Sequence, residues 1–388
     1  MSYVSSNSDL VRKLLNKQEN ITTSNKKTSW NIDAKNYKSL NCSYNRTLPP
    51  VAQLKGSAKI LYLSLQQQKN DLYNWVTQMN DINYFSELEN VNLNGCRLND
   101  GILDCFFNCT KLKILSLRNC QLGSISSKVS KLQNLVDLDL SQNKLTTLSL
   151  PDDLFSLSVL QVLKLSENKL TDLPLTLINL TKLQKLDISG NEFKEFPQIV
   201  LKLSQLTHLY CSHSKISNLS ALYMEDSLAR LSLQFLDLHS NQIVTFPSKW
   251  CQFPELTYFD ISCNKIVCLP DSFGDMKKLH HVNLRANQLL LLPPSFSKLP
   301  IKDLYVCQNK LATPENTQRE NILEYYAGLV PGRYYDQWIL DTLSYCFTFR
   351  KWSTNELRAV VYSCSNELIR RHAEKVAAEI DTGWFHTI

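Results

Sequence analysis

The chain has 388 residues, of which 65 are leucine and only 9 are glycine. The glycines are scattered singly, so neither GxGxxG nor GxxxxGK[ST] can be written, and phosphate cradles of the dinucleotide and P-loop types are excluded. The net charge of +6 is concentrated in residues 1–60, which carry 10 Lys or Arg against 3 Asp or Glu. The remainder is near neutral, whereas a nucleic-acid-binding domain is expected to have a basic face. We therefore expect no nucleic-acid partner.

Residues 1–55 are rich in Ser, Asn, Thr and Lys and show no sustained apolar period. Such a segment cannot bury enough surface to offset its ordering entropy, so we predict a disordered basic tail. No apolar stretch typical of a signal peptide or a membrane span follows the first methionine. We expect a cytoplasmic or nuclear protein without membrane insertion, with its 12 cysteines reduced.

A periodic pattern, L-x-x-L-x-L-x-x-N-x-L, begins at Leu88 and recurs at intervals of 22 to 27 residues. Its ten copies begin at Leu88, Leu112, Leu135, Leu160, Leu183, Leu206, Leu233, Leu256, Leu279 and Ile301. A partial copy at Ile60, Leu63 and Leu65 marks residues 56–87 as an N-terminal cap. Repetition at this period predicts a solenoid over residues 56–314.

The L-x-L core of each copy places two leucines on one face of a short strand, while the intervening residues point the other way. One unit cannot cover its own apolar face, but stacked units can. The predicted fold class is α/β, a repeat solenoid with a curved parallel sheet of about ten repeats and a helical C-terminal extension. Several copies continue with L-P or F-P, which favours a turn or short helix on the return.

The ninth position of the copies favours asparagine, whose amide can bond to backbone groups where the chain bends. The first two copies have Cys96 and Cys120 there, and the sixth has Ser214; these side chains can replace an amide only in part. The predicted structural ladder consists of Asn143, Asn168, Asn191, Asn241, Asn264, Asn287 and Asn309.

Segments such as LVDLDLSQNKLTTL (135–148) and LQKLDISGNEFKEFP (183–197) resemble the 23-residue leucine-rich repeats of intracellular scaffolds of the Ras suppressor and Ras–Raf scaffold class. The resemblance implies a leucine-rich repeat solenoid that binds a protein on its concave sheet face. It also implies a non-catalytic scaffold or adaptor in intracellular signal transduction. Cysteine-rich end caps of secreted members are missing, in keeping with an intracellular protein.

Residues 315–388 predict three helices, the last opened by a capping box at Ser353 and Glu356. The simplest interpretation is a helical cap on the last repeat. Alternatively, Val360, Cys364 and Leu368 resemble the elongin-binding box of cullin substrate receptors, although valine stands where that box has leucine. That resemblance implies a ubiquitin-ligase substrate receptor that docks an elongin-type adaptor through this helix.

Template positions 3, 5, 7 and 8 are expected to face outward on the concave sheet, and the later repeats place aromatic and imidazole side chains there. Clusters of this composition are typical of binding hot spots, although the Asp column is also common background in such repeats. The predicted partner-binding residues are His208, Tyr210, His213, Phe235, Asp237, His239, Tyr258, Asp260, His281, Asn283, Arg285 and Tyr305.

We expect neither a metal site nor a cofactor nor an enzyme. His208, His239 and His281 lie in different repeats, without HxH, HExxH or paired CxxC spacing. Nothing in the sequence joins a nucleophile, a base and an oxyanion site. The sixth copy is a further candidate site because Cys211 replaces a core leucine, and the next interval lengthens to 27 residues.

Overall fold

The computed structural model describes residues 39–42, 48–51, 62–66, 72–81, 84–219, 232–289 and 292–310. The chain divides into two compact units, residues 1–168 and 169–388. The predicted helical extension over 315–388 lies outside the described residues.

In the first unit, six short strands pair in chain order, each parallel to the next. They are β1 (Ser39–Asn41), β2 (Tyr62–Ser64), β3 (Asn90–Asn92), β4 (Ile114–Ser116), β5 (Asp137–Asp139) and β6 (Val162–Lys164). Within the described residues, the α-helices between these strands are α1 (Leu72–Asp81) and α2 (Asp100–Phe107). Helix α2 begins after Asn99, whose side-chain oxygen accepts a hydrogen bond from the Ile102 amide at 2.9 Å.

The second unit repeats the arrangement with six further parallel strands. They are β7 (Lys185–Asp187), β8 (His208–Tyr210), β9 (Phe235–Asp237), β10 (Tyr258–Asp260), β11 (His281–Asn283) and β12 (Asp303–Tyr305). The middle residue of each strand is buried, as the L-x-L pattern predicts. The first and third residues form what we call the open face, and most of them are half-buried.

The return segments are mostly short 3-10 helices. They span Ser127–Lys131, Thr147–Ser149, Asp152–Ser156, Leu175–Asn179, Gln198–Lys202, Ser248–Cys251, Asp271–Asp275 and Pro294–Lys298. Six of them follow directly on a proline in extended conformation. Proline has a fixed φ and no N–H to satisfy, so it suits the residue at which the chain turns into a helix.

The tight turn after each strand has its own signature. The eighth template position has a positive φ in all ten repeats, at Gly95, Asn119, Gln142, Glu167, Gly190, His213, Ser240, Cys263, Ala286 and Gln308. Only two of these residues are glycine, although glycine adopts this left-handed conformation at least cost. The repeat architecture therefore imposes the turn on residues that do not favour it.

The predicted tail over residues 1–55 is wrong for residues 39–42. Strand β1 pairs in register with β2, and Leu40 and Cys42 are buried, with exposures of 2% and 0%. The Cys42 amide also donates a hydrogen bond to the Ser64 carbonyl at 2.8 Å. Two buried apolar side chains and a paired backbone offset the ordering entropy of this short segment. Residues 1–38 lie outside the described part of the chain.

Candidate partner-binding face

Four rings lie side by side on the open face of the second unit. His208, Phe235, Tyr258 and His281 are the first residues of β8 to β11 and are aligned by the strand register; we call them the aromatic row. Ring centroids are 5.7, 4.1 and 4.3 Å apart along the row, with interplanar angles of 16°, 9° and 6°. The spacing follows from parallel strands about 4.8 Å apart.

Two tyrosines flank the aromatic row. The ring centroid of Tyr210 lies 4.8 Å from that of Phe235, and the ring centroid of Tyr305 lies 5.4 Å from that of His281. Each tyrosine ring is tilted against its neighbour. Tyr305 is also one of the exposed large side chains of the described residues, at 37%. Because the rings cover one another's faces, the row presents mainly ring edges, which carry the positive part of the aromatic quadrupole.

Carboxylates recur at the third strand position of the repeats, and each accepts a hydrogen bond from the turn that follows it. Asp139, Asp187 and Asp237 accept hydrogen bonds from the amide two residues ahead, each at 3.0 Å. This recurring bond explains why aspartate is common at the position. Together with burial, the charges of Asp237 and Asp260 raise the pKa of the Tyr258 hydroxyl, which therefore stays protonated.

Asp260 is the most buried of the predicted contact residues. It is only 8% exposed. One carboxylate oxygen accepts bonds from the Ser262 amide and hydroxyl at 2.9 and 2.6 Å, and the other accepts from the Asn283 amide group at 2.8 Å. Asp260 therefore helps to hold neighbouring repeats together and contributes negative charge to the face, and its contact with a partner stays a prediction.

His213 and His239, which we call the histidine pair, lie at the turn edge of the same face. Their Nε2 atoms are 2.9 Å apart and their rings meet edge to face. Nδ1 of His239 lies 2.6 Å from Oδ1 of Asp237, and this hydrogen bond raises the pKa of the His239 imidazole against the opposing effect of burial. His208 differs, because burial and the nearby Lys185 lower its pKa to about 4.

The remaining predicted residues border this surface. The exposed Arg285 donates from Nε to the Gln308 side chain at 3.0 Å, and its amide is bonded to the Asn283 side chain at 3.2 Å. Val360, Cys364 and Leu368, proposed from sequence to dock an adaptor, lie outside the described residues. The lengthened interval after the sixth copy also falls largely outside, because residues 220–231 are not described.

The ninth-position asparagines bond between repeats beneath this face. In Asn264, the amide group donates to the carbonyls of Leu238, Ile261 and Ser262 at 3.0, 3.0 and 3.1 Å, while its oxygen accepts from the Ile243 amide at 2.9 Å. Carbonyls of the preceding repeat also accept hydrogen bonds from Asn143, Asn168, Asn241, Asn287 and Asn309. Asn191 accepts a hydrogen bond from the Leu170 amide of the preceding repeat at 3.0 Å. The cysteine substitutes donate one such bond each, from Cys96 to Leu65 and from Cys120 to Leu93.

The sixth repeat departs from the ladder in a way that the sequence only hinted at. The Ser214 hydroxyl is among the few buried side-chain atoms of the described residues that have no hydrogen-bond partner. The side chain is too short to reach the carbonyls that an asparagine would bond.

The contact within the histidine pair could not be predicted from the sequence, since its two members are 26 residues apart.

Burial keeps several thiols in their neutral, unreactive form. None of the ten described cysteines forms a disulfide, and burial raises the pKa of Cys42, Cys109, Cys120 and Cys251 to about 12. A thiol held in its neutral form is a poor nucleophile. These four residues therefore serve as small apolar core side chains.

Sequence and structure comparisons identify the repeat. Leucine-rich repeat family descriptions match residues 147–193, 232–289 and 134–157, and no curated protein matches. A solved leucine-rich repeat protein of Leptospira interrogans is 23% identical, with a TM-score of 0.51 over 74% of this chain and 94% of its own. The fold is that of a leucine-rich repeat solenoid.

Other structures with leucine-rich repeat folds are similar over part of their length. A TDR receptor is 22% identical, with a TM-score of 0.56 over 70% of this chain and 47% of its own. The TLR13–ssRNA13 complex is 25% identical, with a TM-score of 0.55 over 68% of this chain and 37% of its own. Within the described ranges, no helix is long and apolar enough to cross a bilayer.

Proposed function

We propose that this leucine-rich repeat protein is a non-catalytic scaffold that binds another protein on the open face of its second unit. The aromatic row carries the proposal, because half-buried rings with a polar rim are typical of binding hot spots. The repeat itself does not require rings at this position: the equivalent residues of β5 and β7 are Asp137 and Lys185.

The chemistry of the face favours a protein over a nucleic acid. Single-stranded nucleic acids stack bases on open ring faces within a basic groove. Here the faces of Phe235 and Tyr258 are covered by neighbouring rings, and the carboxylates of Asp237 and Asp260 lie beside them. We propose that the partner contributes apolar side chains to the ring edges and a cationic side chain near the carboxylates, whereas a phosphate backbone would be repelled.

An intracellular signalling role is part of the same proposal. The repeat units resemble those of the Ras suppressor class, and none of the described cysteines forms a disulfide, as expected in a reducing compartment. We therefore place the protein in the cytoplasm, acting as an adaptor without chemistry of its own. The raised pKa values of buried thiols such as Cys42 and Cys251 are consistent with the non-catalytic assignment, because neutral thiols are poor nucleophiles.

The test is affinity capture of partners with three forms of the full chain. The first is the unchanged protein, the second carries Phe235→Ala and Tyr258→Ala, and the third carries Leu175→Ala and Ile178→Ala. The third is a matched control, because Leu175 and Ile178 are exposed apolar side chains, at 77% and 47%, on a return helix. We expect the row variant to lose captured proteins at least tenfold while the control retains them.

Equal capture by all three forms would overturn the assignment of the face, and enrichment of RNA instead of protein would overturn the partner class. Elongin in the captured set, lost on Cys364→Ala or Leu368→Ala but retained by the row variant, would support the substrate-receptor alternative instead. Each variant is first checked for an unchanged circular dichroism spectrum, so that unfolding is not mistaken for lost binding.

A further inference from the structure

The histidine pair brings together two imidazole nitrogens from neighbouring repeats. His213 lies in the left-handed turn after β8, at φ 51°, and His239 follows β9. Backbone pairing fixes them side by side, because the His213 amide donates to the His239 carbonyl at 3.0 Å. The Nε2 atoms are 2.9 Å apart, and His213 is exposed to solvent.

We propose that His213 and His239 bind a divalent transition-metal ion, such as Zn²⁺, through their Nε2 atoms. Metal–imidazole bonds are about 2.0–2.1 Å long. At that length, nitrogens 2.9 Å apart subtend an angle of about 90° at the ion. This angle suits octahedral or square-planar coordination directly. Tetrahedral coordination requires the two Nε2 atoms to move apart by about 0.4 Å.

Asp237 prepares His239 for this role. An ionised carboxylate can only accept hydrogen bonds, so the 2.6 Å contact with Oδ1 of Asp237 requires the proton of neutral His239 to reside on Nδ1. The lone pair of His239 is then on Nε2, which accepts the 2.9 Å hydrogen bond from Nε2–H of His213. Metal binding replaces this hydrogen bond, with the proton of His213 moving to its own Nδ1. A carboxylate bonded to the far nitrogen of an imidazole ligand is the usual arrangement around protein-bound metals, where it fixes the ring and increases its basicity.

The surrounding charge favours a cation. Ligand atoms of Asp237, His239 and Asp260 lie within 4.8 Å of one another. The carboxylates are already engaged: Asp237 accepts from the His239 backbone and ring, and Asp260 from Ser262 and Asn283. They therefore contribute negative potential and orientation, while the two imidazoles supply the direct bonds and water completes the coordination.

The test measures Zn²⁺ binding to the full chain by calorimetry under reducing conditions, with His213→Gln, His239→Gln and Asp237→Asn variants. His280→Gln is the matched control, because it removes another histidine of the same unit that lies outside the pair. We expect one saturable site in the unchanged protein that disappears in either pair variant. We expect Asp237→Asn to weaken binding by about 10- to 100-fold, as for other carboxylates behind metal-bound histidines.

Zn²⁺ binding by thiols or by histidines elsewhere in the chain would persist in the pair variants. The proposal is therefore tested by the difference in Zn²⁺ binding between the unchanged protein and the pair variants. Identical isotherms for the unchanged protein and both pair variants would overturn the proposal, as would an equal loss in His280→Gln. Thermal unfolding of every variant without metal guards against misfolding. With Zn²⁺ added, the melting temperature should rise in the unchanged protein and in His280→Gln but much less in the pair variants.

Discussion

The interior ladder asparagines satisfy backbone groups that water cannot reach. Asn264 accepts one bond and donates three, and it is 7% exposed. An interior amide with this many partners is costly to remove, because every group left behind stays desolvated. The same reasoning identifies Ser214, with its buried and unpartnered hydroxyl, as a weak point of the ladder.

Replacing Asn264 with Ala should lower the free energy of unfolding by about 3 kcal/mol, since several buried backbone groups lose their partner. Asn309→Ala is the control. It removes bonds of the same kind at the last described repeat, where the amide is only partly buried and water can substitute. Urea unfolding should show the control losing roughly half as much or less, whereas equal losses would refute the desolvation argument.

The pKa of His208 predicts a pH dependence of stability. Burial and Lys185 hold it at about 4 in the folded protein, below the ordinary value of 6.5. Between pH 4 and pH 6.5 the unfolded chain binds more protons at this histidine than the folded protein does. The contribution of neutral His208 to the free energy of unfolding is therefore complete above pH 6.5 and is lost as the pH falls towards 4. The urea midpoint should therefore drop less between about pH 7 and about pH 5 in His208→Gln than in the unchanged protein. Parallel curves for the two proteins would contradict the assignment.

At the scale of elements, the strands could be predicted from sequence and the turns could not. The L-x-L core is a local pattern, and the structure bears it out at every strand from β3 to β12. The positive φ at the eighth position is hidden, since residues as different as Glu167 and Ala286 occupy it. Strand β1 was missed because its segment is short and polar, and its order depends on pairing with β2.

Two neighbouring return helices approach closely at Gly274. A side chain there would overlap the backbone carbonyl of Ser295 in the next return helix. Gly274→Ala should therefore force the two helices apart and cost about 2 kcal/mol of stability. Gly123→Ala is the matched control, because open space surrounds that position, and we expect a change within about 1 kcal/mol, in the stabilising direction. Chemical unfolding of both variants compares the two, and a neutral Gly274→Ala would refute the close approach.

At the scale of the whole molecule, repetition determines the fold, and we propose that the departures from the repeat determine the function. The aromatic residues could be assigned to one face by counting template positions. Their stacking could not be predicted, because ring angles such as the 9° between Phe235 and Tyr258 depend on side-chain packing. The histidine pair escaped prediction for another reason: its members occupy different template positions, eighth and seventh, and meet only through strand pairing.

The central claim is that a protein partner occupies the open face of the second unit, and site-specific photo-crosslinking tests it most directly. A photoreactive phenylalanine analogue is placed at Tyr305, beside the aromatic row, or at Leu175 on a return helix; both positions are exposed, at 37% and 77%. Irradiation in cells should give a discrete crosslinked protein from Tyr305 and none of that mass from Leu175. The same adduct from both positions, or an adduct from Leu175 alone, would contradict the account.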